Sequence, residues 1–155
     1  MTTKKKELIV TSALPYANGP LHFGHLLEHI QTDIWVRAQR ILGNHCIYLC
    51  ASDAHGTPIM MKAEEENVPP EKLVDKYMRE HKKTLEAFQV SHDCYYQTHS
   101  EENKKYSELI YNTALKNGFI SKKNIKQLFD EEKKLFLADR YVQGNCPKCN
   151  APNQY

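Results

Sequence analysis

The sequence predicts an α/β fold with parallel strands, and three segments near its N-terminus carry this prediction. Residues 8–10 form a short apolar run typical of a buried strand, and residues 46–50 form a second one. Between them, apolar residues recur at steps of three and four from about His22 to Gly43, which indicates an amphipathic helix that ends at the glycine. A strand, a helix and a strand in succession form a crossover, which pairs the two strands in parallel. The apolar positions of this helix are Leu26, Leu27, Ile30, Ile34, Trp35, Ala38, Ile41 and Leu42.

The elements that follow continue the α/β pattern. Thr57-Pro58 suggests the start of a helix, and residues 68–71 open another helix that is predicted to reach Phe88. Residues 94–98 are predicted to form a third strand. The side chains expected on the buried face of the helix that reaches Phe88 are Leu73, Tyr77, Leu85 and Phe88.

The hydrophobic pattern changes after Gly118. Ser100 is a suitable N-cap for a helix over residues 101–117, and the glycine marks its end. Three short β-like segments separated by polar turns follow, which predicts a small antiparallel unit. These segments are residues 119–120, 125–129 and 134–137. We therefore predict two domains, residues 1–117 and residues 118–155.

The turn before the first helix predicts an anion site. Ala17-Asn18-Gly19-Pro20 reverses the chain, so that His22 and His25 fall in the first helical turn. Backbone N–H groups there are unpaired and partly positive, which favours anions and neutral imidazoles that donate hydrogen bonds. Gly24 leaves the backbone open to a planar base or a ribose. The alternatives are a chance tetrapeptide or a pair of surface histidines.

This segment resembles the HIGH signature of class I aminoacyl-tRNA synthetases, with His22-Phe23-Gly24-His25 as the signature itself. Phe23 stands where the signature usually has an aliphatic residue, and the position is apolar in either case. The stretch from Ala13 to Gly19 is similar to the form found in the methionyl family, although the isoleucyl family has a similar Pro-Tyr-Ala-Asn-Gly. The resemblance implies the first half of a Rossmann-like nucleotide-binding fold, followed by the start of a β-rich connective insertion.

A second segment, at the end of the second strand, favours the methionyl family. Asp53 is expected beside the loop that carries Tyr16 and His22, because the carboxyl ends of parallel strands meet at one edge of a sheet. A carboxylate there can hold an ammonium group; the alternatives are a turn residue or a helix cap. The stretch Asp-Ala-His-Gly-Thr-Pro-Ile that begins at Asp53 resembles the methionyl enzymes at this position.

Spacing separates the methionyl family from its relatives. The isoleucyl, leucyl and valyl enzymes insert a large editing domain, for which the roughly ninety residues between Gly56 and Cys146 leave no room. Cysteinyl enzymes lack that domain but usually carry a metal-binding cysteine where this chain has Ser12 and Ala13. The methionyl family is therefore the best match.

The resemblance implies a methionine-tRNA ligase of the cytoplasm. Such an enzyme uses ATP with Mg²⁺ to make methionyl-adenylate and transfers the methionyl group to methionine tRNA, including the initiator, for translation. His22 and His25 would be catalytic, because they would stabilise charge on phosphate oxygens. The implied ATP-binding residues are Asn18, His22, Gly24 and His25, and the implied methionine-binding residues are Ala13, Leu14, Pro15, Tyr16 and Asp53.

Cys146-Pro147-Lys148-Cys149 has the spacing of one half of a zinc knuckle. A closed structural site needs four ligands, and no Cys or His follows Cys149. The alternative is a reduced, metal-free pair of cysteines. The family resemblance favours zinc, because methionyl enzymes carry a knuckle of paired cysteines in the connective insertion. We expect Cys146 and Cys149 to hold structural Zn²⁺ in the full-length protein and to bind it weakly in this chain.

Parts of a class I synthetase have no counterpart in the 155 residues. The Lys-Met-Ser-Lys-Ser loop of the second half of the nucleotide fold and the helical anticodon-binding domain are not found. We therefore expect an N-terminal piece of a longer enzyme that is inactive alone. Two other hypotheses stay open, a nucleotidyltransferase that uses the same His-x-Gly-His turn and a non-catalytic binding module.

Composition narrows the class of protein only slightly. A net charge of +2 and a pI near 8.2 are too mild to indicate nucleic-acid binding. Five cysteines without secretory features indicate reduced thiols in the cytosol. No segment approaches the ~20 apolar residues that cross a bilayer, and the composition does not fix an oligomeric state.

Overall fold

The computed structural model of the protein describes residues 5–132, 134–137 and 144–152. The chain divides into two compact units, Met1–Leu109 and Ile110–Tyr155. The two domains predicted from the sequence, with a boundary near Asn117, stay a prediction. None of the helices in the described ranges combines the length and apolarity needed to cross a membrane.

The first unit contains a parallel three-stranded sheet. Its strands are β1 (Glu7–Thr11), β2 (His45–Ser52) and β3 (Cys94–Gln97), in the spatial order β1-β2-β3. Glu7 pairs with His45, and Leu49 lies between Thr11 and Cys94 in the register. The predicted α/β class with parallel strands is thereby confirmed, and the carboxyl ends of β1 and β2 meet at one edge.

Four helices connect and follow the strands: α1 (Phe23–Ile41), α2 (Thr57–Glu66), α3 (Pro70–Ala87) and α4 (Glu101–Lys116). The division between the two units falls within α4. Ser100 Oγ accepts a hydrogen bond from the N–H of Asn103 at 3.1 Å, as expected of an N-cap. The expectation that Phe88 is buried was wrong, because α3 ends at Ala87 and Phe88 is its C-cap, with 53% of the residue exposed.

Two clusters of buried side chains form the core of the first unit. One packs α2 and α3 against the residues after β1 and β2, and it consists of Ala17, Ala54, Ile59, Ala63, Leu73, Val74 and Tyr77. The other lies between the sheet, α1 and α3, and it consists of Val36, Cys46, Tyr48, Cys50, Leu85, Val90 and Tyr95. Burial of these apolar surfaces fixes the sheet edge that carries the predicted site.

The buried face of α1 is more polar than its sequence pattern suggested. Its buried residues are His29, Asp33 and Val36, whereas most of its large apolar residues are exposed. Asp33 accepts hydrogen bonds from the N–H of Ser91 at 2.8 Å and from Arg37 Nε at 2.6 Å. Burial opposes ionisation of Asp33, but these hydrogen bonds hold its pKa below the usual value. The exposed apolar residues of α1 are Phe23, Leu27, Ile34, Trp35 and Ile41, followed by Leu42.

The second unit contains a short antiparallel pair, β4 (Phe129–Asp130) and β5 (Leu135–Phe136). The rings of Phe129 and Phe136 contact edge to face across this pair. The strands predicted at residues 119–120 and 125–128 were wrong, because these residues are not in strands. Phe119 and Ile125 are 83% and 75% exposed. Residues with a preference for β structure form strands only when they pair and pack against neighbours, and these two do neither.

Candidate functional site

The loop after β1 is joined to the residue after β2 by backbone hydrogen bonds. The N–H of Ala17 donates to the carbonyl of Asp53, and the N–H of Asp53 donates to the carbonyl of Pro15, both at 2.8 Å. Tyr16 and Asp53 therefore form a parallel bridge that continues the β1–β2 pairing after a gap. The structure thus brings Asp53 beside Pro15 and Tyr16, as the parallel crossover predicts.

The side chain of Tyr16 is held in place by a hydrogen bond to the residues before α2. Its hydroxyl donates to the carbonyl of His55 at 2.8 Å. Gly56, the next residue, has a φ of +121°, and a Cβ there would lie 2.5 Å from the Tyr16 hydroxyl. Only glycine therefore allows the tyrosine to approach the start of α2 in this way.

The start of α1 is closed by its two histidines. His22 is the N-cap, and its Nδ1 accepts a hydrogen bond from the N–H of Gly24 at 3.1 Å. In return, the N–H of His22 donates to Nδ1 of His25 at 3.2 Å. The two rings stack with their centroids 3.7 Å apart and their planes 21° apart. The histidines thus form a capping box with imidazoles in both positions.

This cap fixes which ring nitrogen carries the proton. A backbone N–H can only donate, so Nδ1 of His22 and of His25 must accept, and the neutral rings are protonated at Nε2. Burial, and then the neighbouring His22 and His81, lower the pKa of His25. The helix start therefore presents Nε2–H donors at the partly positive end of the helix, a combination suited to an anion such as phosphate.

Gly24 is required by the ring of His22 as well as by any ligand. A Cβ at Gly24 would lie 2.9 Å from Cε1 of His22. Any larger residue would push the imidazole out of the cap. Phe23, beside it, is 89% exposed.

A chain of buried hydrogen bonds connects the turn before α1 to α3 and to the end of β2. His81 of α3 donates from Nε2 to the carbonyl of Gly19 at 2.7 Å and accepts at Nδ1 from Ser52 Oγ at 3.0 Å. The Tyr95 hydroxyl lies 2.9 Å from Ser52 Oγ. Burial lowers the pKa of His81 and raises that of Tyr95, so both side chains stay neutral at pH 7.

The sequence interpretation missed His81, although a signal was present. Leu73, Tyr77 and Leu85 were expected on the buried face of α3, and His81 continues their four-residue spacing. A polar residue on an apolar stripe needs a buried partner, and here the partner is the carbonyl of Gly19. The same rule would have identified His29 and Asp33 of α1 as buried polar residues.

The other predicted site residues lie on the same loop. The N–H of Ala13 donates to Glu28 Oε1 at 2.6 Å, and the N–H of Asn18 donates to the carbonyl of Tyr16 at 2.9 Å. Leu14 is 42% exposed. All the residues predicted to bind ATP or methionine therefore lie on the segment from β1 to the first turn of α1, or on the bridge at Asp53. Their roles stay predictions.

Cys146 and Cys149 lie in the second unit, in a tight turn. The N–H of Asn150 donates to the carbonyl of Cys146 at 2.8 Å, and the N–H of Cys146 donates to the carbonyl of Ala151 at 2.9 Å. Backbone N–H groups of Cys149 and Lys148 lower the pKa of Cys146. A stabilised thiolate in a turn fits a metal ligand. Within the described ranges, no third metal-ligating side chain joins this pair.

Comparisons with known proteins agree with this geometry. A family model described as "tRNA synthetases class I (M)" matches residues 8–155. The methionyl-tRNA synthetase of Mycobacterium tuberculosis, in complex with methionyl-adenylate, is similar with a TM-score of 0.77 and 22% identity, over 97% of this chain and 30% of that one. The LeuRS of Agrobacterium radiobacter K84, in a ternary complex with tRNA and LeuAMS, is similar with a TM-score of 0.75 and 19% identity, over 97% of this chain and 20% of that one.

The similarity to the two solved structures shows the fold of the chain, whereas the match to the family model shows its family. At 22% and 19% identity the solved structures show the fold, which is that of the class I synthetases, and the chain spans less than a third of their length. The family model, in contrast, covers nearly the whole chain. The chain therefore belongs to the class I tRNA synthetase family that this model describes, a family of aminoacyl-tRNA ligases.

Proposed function

We propose that the chain is the N-terminal part of a methionine-tRNA ligase. The observation that carries this proposal is the stacked pair His22 and His25, whose Nδ1 atoms are used by the cap and whose Nε2–H groups are left to donate. Asp53 follows β2 at the same sheet edge, bridged to Tyr16. A donor pair for phosphate next to a carboxylate for an ammonium group matches the two ends of an aminoacyl-adenylate.

In the first step, a carboxylate oxygen of methionine attacks the α-phosphorus of ATP. The new P–O bond gives methionyl-adenylate, and the bond to the β-phosphate breaks to release pyrophosphate, whose charge Mg²⁺ helps to neutralise. Negative charge builds on the phosphate oxygens in the transition state. The Nε2–H donors of His22 and His25 stabilise that charge at the positive end of the α1 dipole, and Gly24 and Asn18 contact the adenosine side.

The amino-acid end lies along the bridged loop. The carboxylate of Asp53 and the carbonyl of Leu14 hold the methionine ammonium group, and the side chains from Ala13 to Tyr16 line part of the thioether pocket. Support comes from the hydrogen bonds that fix Tyr16 and Asp53 together before any ligand binds. Such preorganisation lowers the cost of binding.

In the second step, a hydroxyl of the terminal ribose of methionine tRNA attacks the carbonyl carbon of the adenylate, and AMP leaves. The tRNA partner is carried over from the family and from the tRNA in the LeuRS complex. Cys146 and Cys149 would hold half of a structural zinc site, with no part in either step. The two thiols and the backbone N–H groups near Cys146 support this assignment.

Pyrophosphate exchange with the full-length protein that contains this chain tests the proposal. We expect methionine to support exchange between pyrophosphate and ATP, whereas isoleucine and leucine do not. Exchange driven by isoleucine or leucine would contradict the methionyl assignment. Exchange with none of the amino acids, in a folded protein that binds ATP, would favour the nucleotidyltransferase or the non-catalytic module. Apolar pockets discriminate one methylene by only ~1–3 kcal/mol, so all three amino acids are compared at equal concentration.

A further inference from the structure

A second cluster of potential ligands lies in the core of the first unit. His29 of α1, Cys50 of β2 and His92, which precedes β3, offer one ligand atom each, and these atoms lie within 4.8 Å of one another. His29 and Cys50 are 1% and 6% exposed. Neither the synthesis of an adenylate nor the predicted zinc knuckle uses these residues.

We propose that His29, Cys50 and His92, with the hydroxyl of Ser12 as a fourth ligand, bind a divalent transition-metal ion of the Zn²⁺ type. Imidazole and thiolate are the ligands that such ions prefer in proteins, and hard ions such as Mg²⁺ and Ca²⁺ avoid them. The proposal does not depend on the proposed function.

Three of the six distances between the four ligand atoms are short enough for one coordination sphere, and the ligand atoms of His29, Cys50 and His92 all lie within 4.8 Å of one another. Metal–ligand bonds of ~2.0–2.3 Å in a tetrahedron require ligand atoms roughly 3.3–3.8 Å apart. His29 Nδ1 lies 3.3 Å from His92 Nε2 and 3.1 Å from Ser12 Oγ. Ser12 Oγ lies 3.5 Å from Cys50 Sγ. Three edges of the tetrahedron therefore need changes of a few tenths of an ångström or less.

The two histidines also suit an ion, because a neutral imidazole offers one ring nitrogen as a ligand and keeps its proton on the other. His29 Nε2 has no hydrogen-bond partner among the described residues, so the ring can carry its proton there and present Nδ1 to the cluster. On binding, Cys50 Sγ–H loses its proton to solvent as the sulfur–metal bond forms.

The surroundings of Cys50 disfavour a free thiolate. Burial and then the charge of the neighbouring Glu28 raise the pKa of the Cys50 thiol, so a bound cation would be needed to hold the thiolate. His92 also lines a cavity of about 320 Å³ together with Lys82, Glu86 and Asp93. A bound ion would link the end of β1, α1, β2 and the residues before β3. It should therefore stabilise the first unit.

Cobalt titration of the full 155-residue chain tests the site, because thiolate-to-Co²⁺ charge-transfer and tetrahedral d–d absorption bands report the ligands directly. The background is the double substitution Cys146→Ser/Cys149→Ser, which removes the cysteine turn as a competitor. We expect one equivalent of Co²⁺ to give both bands. Cys50→Ser should abolish the charge-transfer band, and His92→Gln should weaken binding at least tenfold. Cys94→Ser, which removes an exposed cysteine of β3, is the matched control and should change neither.

Folding of each protein is checked by far-ultraviolet circular dichroism. A folded Cys146→Ser/Cys149→Ser chain without saturable cobalt bands would overturn the proposal, and so would bands that survive Cys50→Ser. Native mass spectrometry of the same background with Zn²⁺ gives a second measurement that needs no substitution in the cluster. One bound ion supports the site, and an apo mass at saturating Zn²⁺ overturns it.

Discussion

On the proposed function, His22 has two separable roles, capping α1 and donating to phosphate, and two substitutions distinguish them. As N-cap, its Nδ1 accepts from the N–H of Gly24, whereas its Nε2–H is free for a phosphate. Asparagine is among the best N-caps, so His22→Asn keeps the cap and loses the ring donor. Alanine loses both. The reciprocal bond from the N–H of residue 22 to His25 Nδ1 survives in either variant, because residue 22 contributes only its backbone to it.

The expected magnitudes follow from these contacts. Loss of one exposed cap costs about 1 kcal/mol, which lowers the melting temperature by roughly 2–4 °C in a domain of this size. Loss of one preorganised donor to a phosphate costs ~3 kcal/mol, or about a hundredfold in rate. His22→Asn should therefore melt within about 1 °C of the wild type yet exchange pyrophosphate about a hundredfold more slowly. His22→Ala should show the same loss of rate and the lower melting temperature.

The assay is methionine-dependent pyrophosphate exchange in the full-length protein, combined with thermal unfolding. His45→Asn is the matched control, since His45 is an exposed histidine at the opposite end of β2 and its side chain contacts only that of Glu7 among the described hydrogen bonds and ion pairs. It should leave exchange unchanged. Wild-type exchange by His22→Asn would refute the donor role. Equal melting of His22→Ala and His22→Asn would refute the capping role.

Three further predictions follow from other contacts. Asp53→Ala should strongly raise the KM for methionine and should change kcat less than His25→Ala does. The reason is that the proposed partner of Asp53, the ammonium group, is already charged in the ground state. Equal effects of the two substitutions on methionine affinity in steady-state exchange would contradict this division. His81→Gln should flatten the acid side of the stability curve in metal-free urea titrations. The unfolded chain protonates this histidine near pH 6.5 and the folded chain only at lower pH, so stability is lost as the pH falls below about 6.5, and an unchanged slope would count against a buried neutral His81. The isolated 155-residue chain should elute as an oligomer in size-exclusion chromatography, because Ile9 on the edge strand β1 is 74% exposed. It should also show no methionine-dependent exchange. A monodisperse active monomer would contradict both expectations.

The sequence was sufficient to predict the elements that depend on local patterns. The parallel pairing of β1 and β2 follows from the crossover, and the start of α1 follows from the turn residues before it, although His22 is the N-cap of α1 and does not lie in its first turn. The position of Asp53 beside Tyr16 follows from the same crossover. These features require only the chain order and the handedness of the connection.

Features that depend on long-range packing were less accessible. The exposed apolar residues of α1 have the same spacing as a buried stripe, and only the tertiary structure shows that His29 and Asp33 occupy the buried face. Residues 119–128 carry β propensity without a partner strand, so the predicted strands did not form there. The reciprocal cap depends on ring orientation, which no residue pattern specifies.

The reciprocal cap also couples acid titration to the end of a helix. A proton that arrives at Nδ1 of His25 converts an acceptor into a donor that faces the N–H of His22, so the hydrogen bond from that N–H must break. Protonation would therefore fray the first turn of α1 and dismantle the anion site in the same event. Phosphate binding requires the intact cap, whereas protonation breaks it, so the two compete although they involve different atoms. A bound nucleotide should therefore lower the pH at which the start of α1 frays.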